Sequence, residues 1–358
     1  MRDSDTDIIL YISLLGVCPV IGLCGIIANI INIIIFIRNG FTESINVSLF
    51  GLAISDLLAL LFLVPFAAFI NPYSLYSDDI NWNAMDFGYV IVAIPNSTFN
   101  GTTCLITVFI TVERCLCFVM PFRVKSLITP RRSAIIVAAI FALMTFNLVL
   151  AYVAMQLDWR WDSDRNKTMI GTVLTRHDSS KLLNIRNIIS LCSQLFSLLA
   201  LVVSNIALAV AVKRQAKWRA RIVITAPQQN QTAASNRTAD STTYRNRRLA
   251  RMIQFLSLIL FVTYFFSSVI YLVSLFMREF NFYGRYKNEF KSFWMVALST
   301  QGLNSSVNIV FYYRMNIKYR NRFNKMFRKG IATIGIFPAE HNTMDNTIVA
   351  LSHRAGAT

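Results

Sequence analysis

Charge is scarce in this chain. Only 15% of its 358 residues are Asp, Glu, Lys or Arg, where soluble domains carry about a quarter. Set against 55% hydrophobic residues, that shortage excludes an ordinary soluble domain of this length. Negative charge is the scarcer sign: 18 Asp and Glu face 35 Lys and Arg, a net +17. Histidine is down to three, at 177, 341 and 353, all outside the apolar runs. No His pair is therefore at hand for haem or a metal within a membrane. The six cysteines (18, 24, 104, 115, 117 and 192) fall in apolar runs or at their ends, so no disulfide between outer loops is expected. Nucleophile–base pairs and metal constellations are missing from the apolar runs too, which argues against an enzyme.

What the chain has is seven long apolar runs: Ile8–Ile37, Val47–Ile70, Phe87–Val119, Ala134–Gln156, Leu182–Val212, Leu249–Met277 and Phe293–Tyr313. Each reaches the ~20 residues that a spanning helix needs. The fold class they predict is an all-α membrane protein, a seven-helix transmembrane bundle over 8–313. With the N-terminus outside, the inner segments carry 24 of the Lys and Arg and the outer ones 11. The positive-inside bias then puts the C-terminus in the cytoplasm of a multi-pass cell-membrane protein. The basic face suits anionic membrane lipid rather than nucleic acid. Met1–Asp7 is acidic, unlike a cleavable leader, and is expected outside, with the first helix as an uncleaved anchor.

Polar residues within the runs keep to faces. Cys18, Gly22, Gly25, Asn29 and Asn32 share one side of the first helix, as their spacing requires. Asp56 stands near the middle of the second. A carboxylate at that depth faces the interior, settled by an ion, a proton or hydrogen-bond donors. In the third, Asn96, Asn100, Thr103, Thr107 and Thr111 form a stripe. Arg114 follows Asn96 by 18 residues, five turns and roughly 27 Å on the same face. Glu113 and Arg114 stand together where the run ends, a pair costly to bury unless partnered. The fifth shows Asn187, Ser190, Gln194, Ser197 and Ser204, the seventh Gln301, Asn304, Ser305, Asn308 and Tyr312. The sixth is rich in aromatics, Phe261, Tyr264 and Tyr271 among them.

The first two outer loops between the runs are Asn71–Asp86 and Leu157–Arg186. The second bears a glycosylation sequon at Asn166-Lys167-Thr168. Asn96 and Asn100 also match that pattern, but inside a span. The inner segment 213–248 is expected to be largely disordered around Ala226–Ser235, a polar low-complexity stretch between basic ends. Residues 314–328 read as a basic amphipathic helix on the inner leaflet, and 329–358 as a tail.

From Gly25 to Phe327 the landmarks resemble the rhodopsin-like G protein-coupled receptors. Asn29, Leu52-Ala53-Ile54-Ser55-Asp56, Glu113-Arg114-Cys115 with Pro121, and Asn308-Ile309-Val310-Phe311-Tyr312 stand in that family's order. The wording is most similar to invertebrate chemosensory and neuropeptide-like receptors. The resemblance implies a receptor for an extracellular peptide or small chemosensory molecule that activates a heterotrimeric G protein. It implies that Arg114 pairs with Glu113 when inactive and then meets the G protein, with Tyr312 and Asn308 as switch residues and Phe261 as the sixth-helix switch. It implies no cofactor beyond a sodium ion at Asn29, Asp56, Thr103, Asn304 and Asn308.

The chain departs from the pattern in several places. Tyr89 stands for the usual third-helix cysteine, Ile309 for a proline, and the sixth helix lacks its kink proline. Asn96 replaces the aspartate of amine receptors, and Gly302 the lysine that holds retinal, which disfavours a small amine and light. The expected pocket is Phe66, Asn96, Asn100, Ser268, Tyr271 and Trp294, a largely neutral wall suited to an amidated peptide or an uncharged odorant. The competing class is a transporter or ion channel using Asp56 and the buried amides. No repeat between halves and no broken helix pair supports it.

Overall fold

The computed structural model describes residues 8–9, 11–120, 123–162, 165–176, 178–225, 233–277, 279–280 and 284–333. Met1–Asp7, Pro121, His177, Ala226–Thr232 and the segment from 334 onward, which holds His341 and His353, lie outside the described residues.

Seven long helices follow in chain order. They are α1 (Cys18–Asn39), α2 (Ser44–Leu63), α3 (Ile94–Val119), α4 (Pro130–Ala154), α5 (Ser179–Thr225), α6 (Ala233–Phe276) and α7 (Lys287–Met315). A shorter α8, Ile317–Thr333, comes after them. π-helical turns, Ile12–Val17 and Gly88–Ala93, lead into α1 and α3. Among the described residues, six helices are long and apolar enough to cross a membrane. α7 takes the place of the seventh expected span, helical and long enough, though its polar residues keep it less apolar than those six. Its hydroxyls and amides face inward, with Ser292, Asn304, Ser305 and Asn308 buried, while Phe293, Val296, Leu303 and Val310 stay exposed. A helix inside a bundle needs only one lipid-compatible face.

The helices close into a bundle in which α3 touches α2, α4, α5 and α6, and α1 packs between α2 and α7. Close approach explains two of the small residues of α1. A Cβ at Gly25 would overlap Ser306 and come within 2.6 Å of Leu60, and one at Gly22 would come within 2.5 Å of Val64. The largest apolar cluster sits at the Arg114 end, where Ile35, Phe36, Leu49, Ile110, Met252, Ile253, Tyr312 and Tyr319 meet.

Two features differ from the sequence expectation. The basic flanks of the segment 213–248 are helical, as extensions of α5 to Thr225 and of α6 back to Ala233. They hold no helix-breaking Pro or Gly until Pro227. The loop between α4 and α5 is a β-hairpin, β1 (Met155–Asp162) paired antiparallel with β2 (Lys167–Leu174). Its turn places Asn166 exposed in the left-handed region at φ 51°, a conformation asparagine tolerates.

Candidate functional site

The hairpin is held to the bundle without sulfur. Asp86, three residues before Tyr89, accepts from Arg160 Nη2 at 2.9 Å and from the Thr172 backbone N–H at 2.8 Å. Gly171 leaves the room: a Cβ there would lie 2.6 Å from Asp86 Oδ2. The 81–83 backbone runs beside β2, with Ile170 N donating to Asn81 O and Asn83 N to Ile170 O, each at 2.8 Å. Arg165 reaches the carbonyls of Ser77 and Leu75, and Lys167 those of Asp78 and Ile80. The six cysteines are free thiols.

Below the hairpin, α3 to α7 surround a cavity of about 730 Å3. Its floor is an amide chain that joins four helices. Asn96 Nδ2 donates to Ala59 O (2.8 Å), Asn100 Nδ2 to Asn96 Oδ1 (3.0 Å) and Gln301 Oε1 (3.1 Å), and Gln301 Nε2 to Ser267 Oγ (2.5 Å). Of the expected pocket residues, Asn96, Asn100, Tyr271 and Trp294 line the cavity. Phe66 and Ser268 do not. Phe66 swings past the end of α2 into an apolar cluster and meets Trp294 edge-on, ring centroids 5.4 Å apart. Ser268 turns its hydroxyl onto Tyr264 O of its own helix (2.9 Å), and Ser267 lines the wall instead. One residue is about 100° of helix, enough to trade one face for the next.

The neutral wall is also corrected. Arg186, near the hairpin end of α5, lines the cavity and is only 6% exposed. It closes the sequence of the second outer loop and gave no sign there of turning inward. Sequence spacing also hid Asn147, which reaches the cavity from α4 and donates to Ser190 Oγ at 2.8 Å. The polar face of α5 was the available signal, since Ser190, Gln194 and Ser197 all line the cavity.

Halfway down the bundle Asp56 is fully buried. Its carboxylate accepts from Thr103 Oγ1 (2.8 Å) and Asn308 Nδ2 (2.6 Å), and Thr103 in turn contacts Ser55 Oγ at 2.8 Å. Three of the five expected cluster members thus touch directly. Asn29 does not reach the carboxylate. It donates to Gly25 O (3.0 Å) and Ser305 O (2.8 Å), and takes a bond from Asn32 at 3.2 Å. Asn304 is buried one turn from Asn308. Thr107 and Thr111 bond back to their own helix at 2.8 Å each, so those two positions on the stripe of α3 are closed locally.

At the far end of α3, Arg114 Nη2 lies 2.5 Å from Glu113 Oε1. Glu113 is wholly buried and also accepts from the hydroxyls of Ser44 and Ser48 on α2. A buried carboxylate with one cation and two hydroxyl donors has its lone pairs well used. Tyr312 is buried nearby, its ring 5.4 Å from Phe36 and its hydroxyl without a hydrogen-bond partner among the described residues. Phe261, partly buried, packs on Cys104, Val108, Leu198, Leu201 and Tyr264.

A comparison with curated proteins finds no match. The sequence profile of the family described as serpentine type 7TM GPCR chemoreceptor Srw matches residues 17–330. With that match over most of its length, a bundle of apolar helices and a Glu113–Arg114 pair with a buried carboxylate near the end of its third helix, the chain belongs to the Srw family of serpentine G protein-coupled chemoreceptors.

Proposed function

We propose that the protein binds an extracellular peptide or small molecule in the cavity beneath the hairpin and activates a heterotrimeric G protein at the Arg114 end. The observation that carries this is the placement of both sites on α3. Asn96 and Asn100 line the cavity, and Arg114 is held by Glu113 about five turns away. In this reading the hairpin end faces outward, the Arg114 end faces the cytoplasm of a cell, and the basic α8 lies on lipid. Ligand favours the form in which Arg114 leaves Glu113 and the inner face opens, a shift of population between two states. Asn308 and Tyr312 belong to the same rearrangement, and Phe261 transmits it to α6.

Asp56 and its neighbours have a second part in the reading. One carboxylate beside the hydroxyls of Ser55 and Thr103 offers hard oxygen donors of the kind a monovalent cation takes. Sodium held there would favour the closed form.

Arg114→Ala, expressed in cells with a G-protein readout, tests the coupling role. Agonist-driven and basal signalling should fall to background at normal surface expression. Signalling equal to the unaltered receptor would overturn it.

A further inference from the structure

We infer that the cavity takes a small organic carboxylate, bound head-first on Arg186. The inference rests on reading the cavity as the receptor's ligand site and adds the chemical class of the ligand.

Arg186 is an unusual residue to find on such a wall. It is 6% exposed, yet among the described residues Nε has no hydrogen-bond partner and the guanidinium's one hydrogen bond runs from Nη1 to Asn187 Oδ1 at 3.2 Å. None of the ion pairs among the described residues includes Arg186. No Asp or Glu lines the cavity among the described residues. A buried guanidinium with no anion is unfavourable and is stabilised by one that arrives. Its planar fork presents paired donors that match a carboxylate better than a single neutral oxygen. An amine or guanidinium ligand would instead meet like charge with no acid to offset it.

The rest of the wall describes the body of the ligand. Tyr89, Tyr271, Phe290 and Trp294 supply apolar and aromatic surface. About 730 Å3 is the size of a cavity for a small molecule. Asn147 uses Nδ2 on Ser190 and leaves Oδ1 buried without a partner among the described residues. Arg186 and Ser190 are four residues apart on α5, on the same face and about 6 Å along the axis. A ligand whose carboxylate meets Arg186 therefore finds a waiting acceptor about one turn deeper, which suits an O–H or N–H on its body. The fitting class is a hydroxylated or amide-bearing acid with an apolar frame.

The test uses purified full-length receptor in detergent, read by thermal shift and by direct titration, with no G protein present. The probes are 3-(4-hydroxyphenyl)propionate and 10-hydroxydecanoate, each beside its primary amide and its amine at equal ionic strength, with decanoate as the acid that lacks the hydroxyl. Sodium phosphate and sodium sulfate are separate arms. The acids should raise the melting temperature and the amides and amines should not. In Arg186→Gln the apparent affinity for the acids should fall by at least about tenfold, with part of it regained in Arg186→Lys. Asn147→Ala should weaken the hydroxy acids more than decanoate. The inference is overturned if the acids bind no better than their amides, if none binds, if Arg186→Gln binds them as well as the parent, or if phosphate or sulfate alone reproduces the shift. Unliganded melting of each variant shows that it folds. Because the assay omits signalling, failure here leaves G-protein coupling untouched, and failure of Arg114→Ala to silence the receptor leaves this binding result standing.

Discussion

Tyr319 of α8 donates its hydroxyl hydrogen to the Asn32 side-chain oxygen of α1, 2.6 Å away. Asn32 continues to Asn29, and Asn29 to the Ser305 carbonyl on α7. The surface helix is thus joined by side chains to the polar interior beside Asp56. The Tyr319 ring also packs on Phe36 and Tyr312, with centroids 5.7 and 5.6 Å away. Burial pushes the Tyr319 phenol above its ordinary pKa. Its stabilising bond is therefore full below about pH 10, the ordinary value, and is lost only as pH rises through the raised one.

Tyr319→Phe should accordingly lower stability by about 1 kcal/mol, the usual net worth of such a bond. The loss should be equal at pH 6 and pH 8. Thermal melts in detergent at both values measure it, and an unchanged melting temperature would show that the link contributes nothing.

Asp86→Asn should loosen the hairpin selectively. The carboxylate joins Arg160 and the Thr172 backbone in one place. Removing its charge should cost roughly 1 kcal/mol, at the low end for a charged bond because Arg160 is partly open to solvent. Amide exchange in 155–174 should quicken by about fivefold to tenfold, with α1 and α7 unaffected. Uniform quickening across all helices would instead indicate global destabilisation.

Asn166 is exposed at the hairpin turn, as an acceptor for a glycan must be. In a secretory host, Asn166→Gln should abolish a glycosidase-sensitive gel shift. If the shift persists in the variant, the hairpin end does not carry the glycan, and the outward orientation assigned to it loses its support.

Sodium should raise the melting temperature of the receptor and should not raise that of Asp56→Asn. A ligand of the folded state stabilises it according to its concentration over Kd, so titration from 1 to 300 mM sodium against choline reads the effect. Equal responses of the two proteins would remove the cation from the Asp56 cluster.

The spacing of polar residues read the bundle interior well because a helix repeats every 3.6 residues. Asp56, Thr103 and Asn308 come from three helices and meet as their faces required. The same rule failed by one residue at Ser268 and Ser267, where neighbouring hydroxyls point to different surroundings. It failed at Phe66 because α2 ends at Leu63 and the helical phase no longer applies beyond it. The hairpin was missed although Leu157, Trp159 and Trp161 alternate with polar residues in β1, a period-two signal hidden in a charged loop.

The sequence by itself determined that this chain lives in a membrane, how many times it turns, and that Glu113 and Arg114 stand at one end. Those are properties of a single helix at a time: apolar length, charge and period. Only the tertiary structure decided that Arg186 turns inward with no anionic partner among the described residues, that Asp86 ties the hairpin to the bundle through Arg160, and that Tyr319 reaches Asn32. Each depends on partners that are far apart in the chain or on their absence. What surrounds a side chain is set by how helices pack, which no local pattern records.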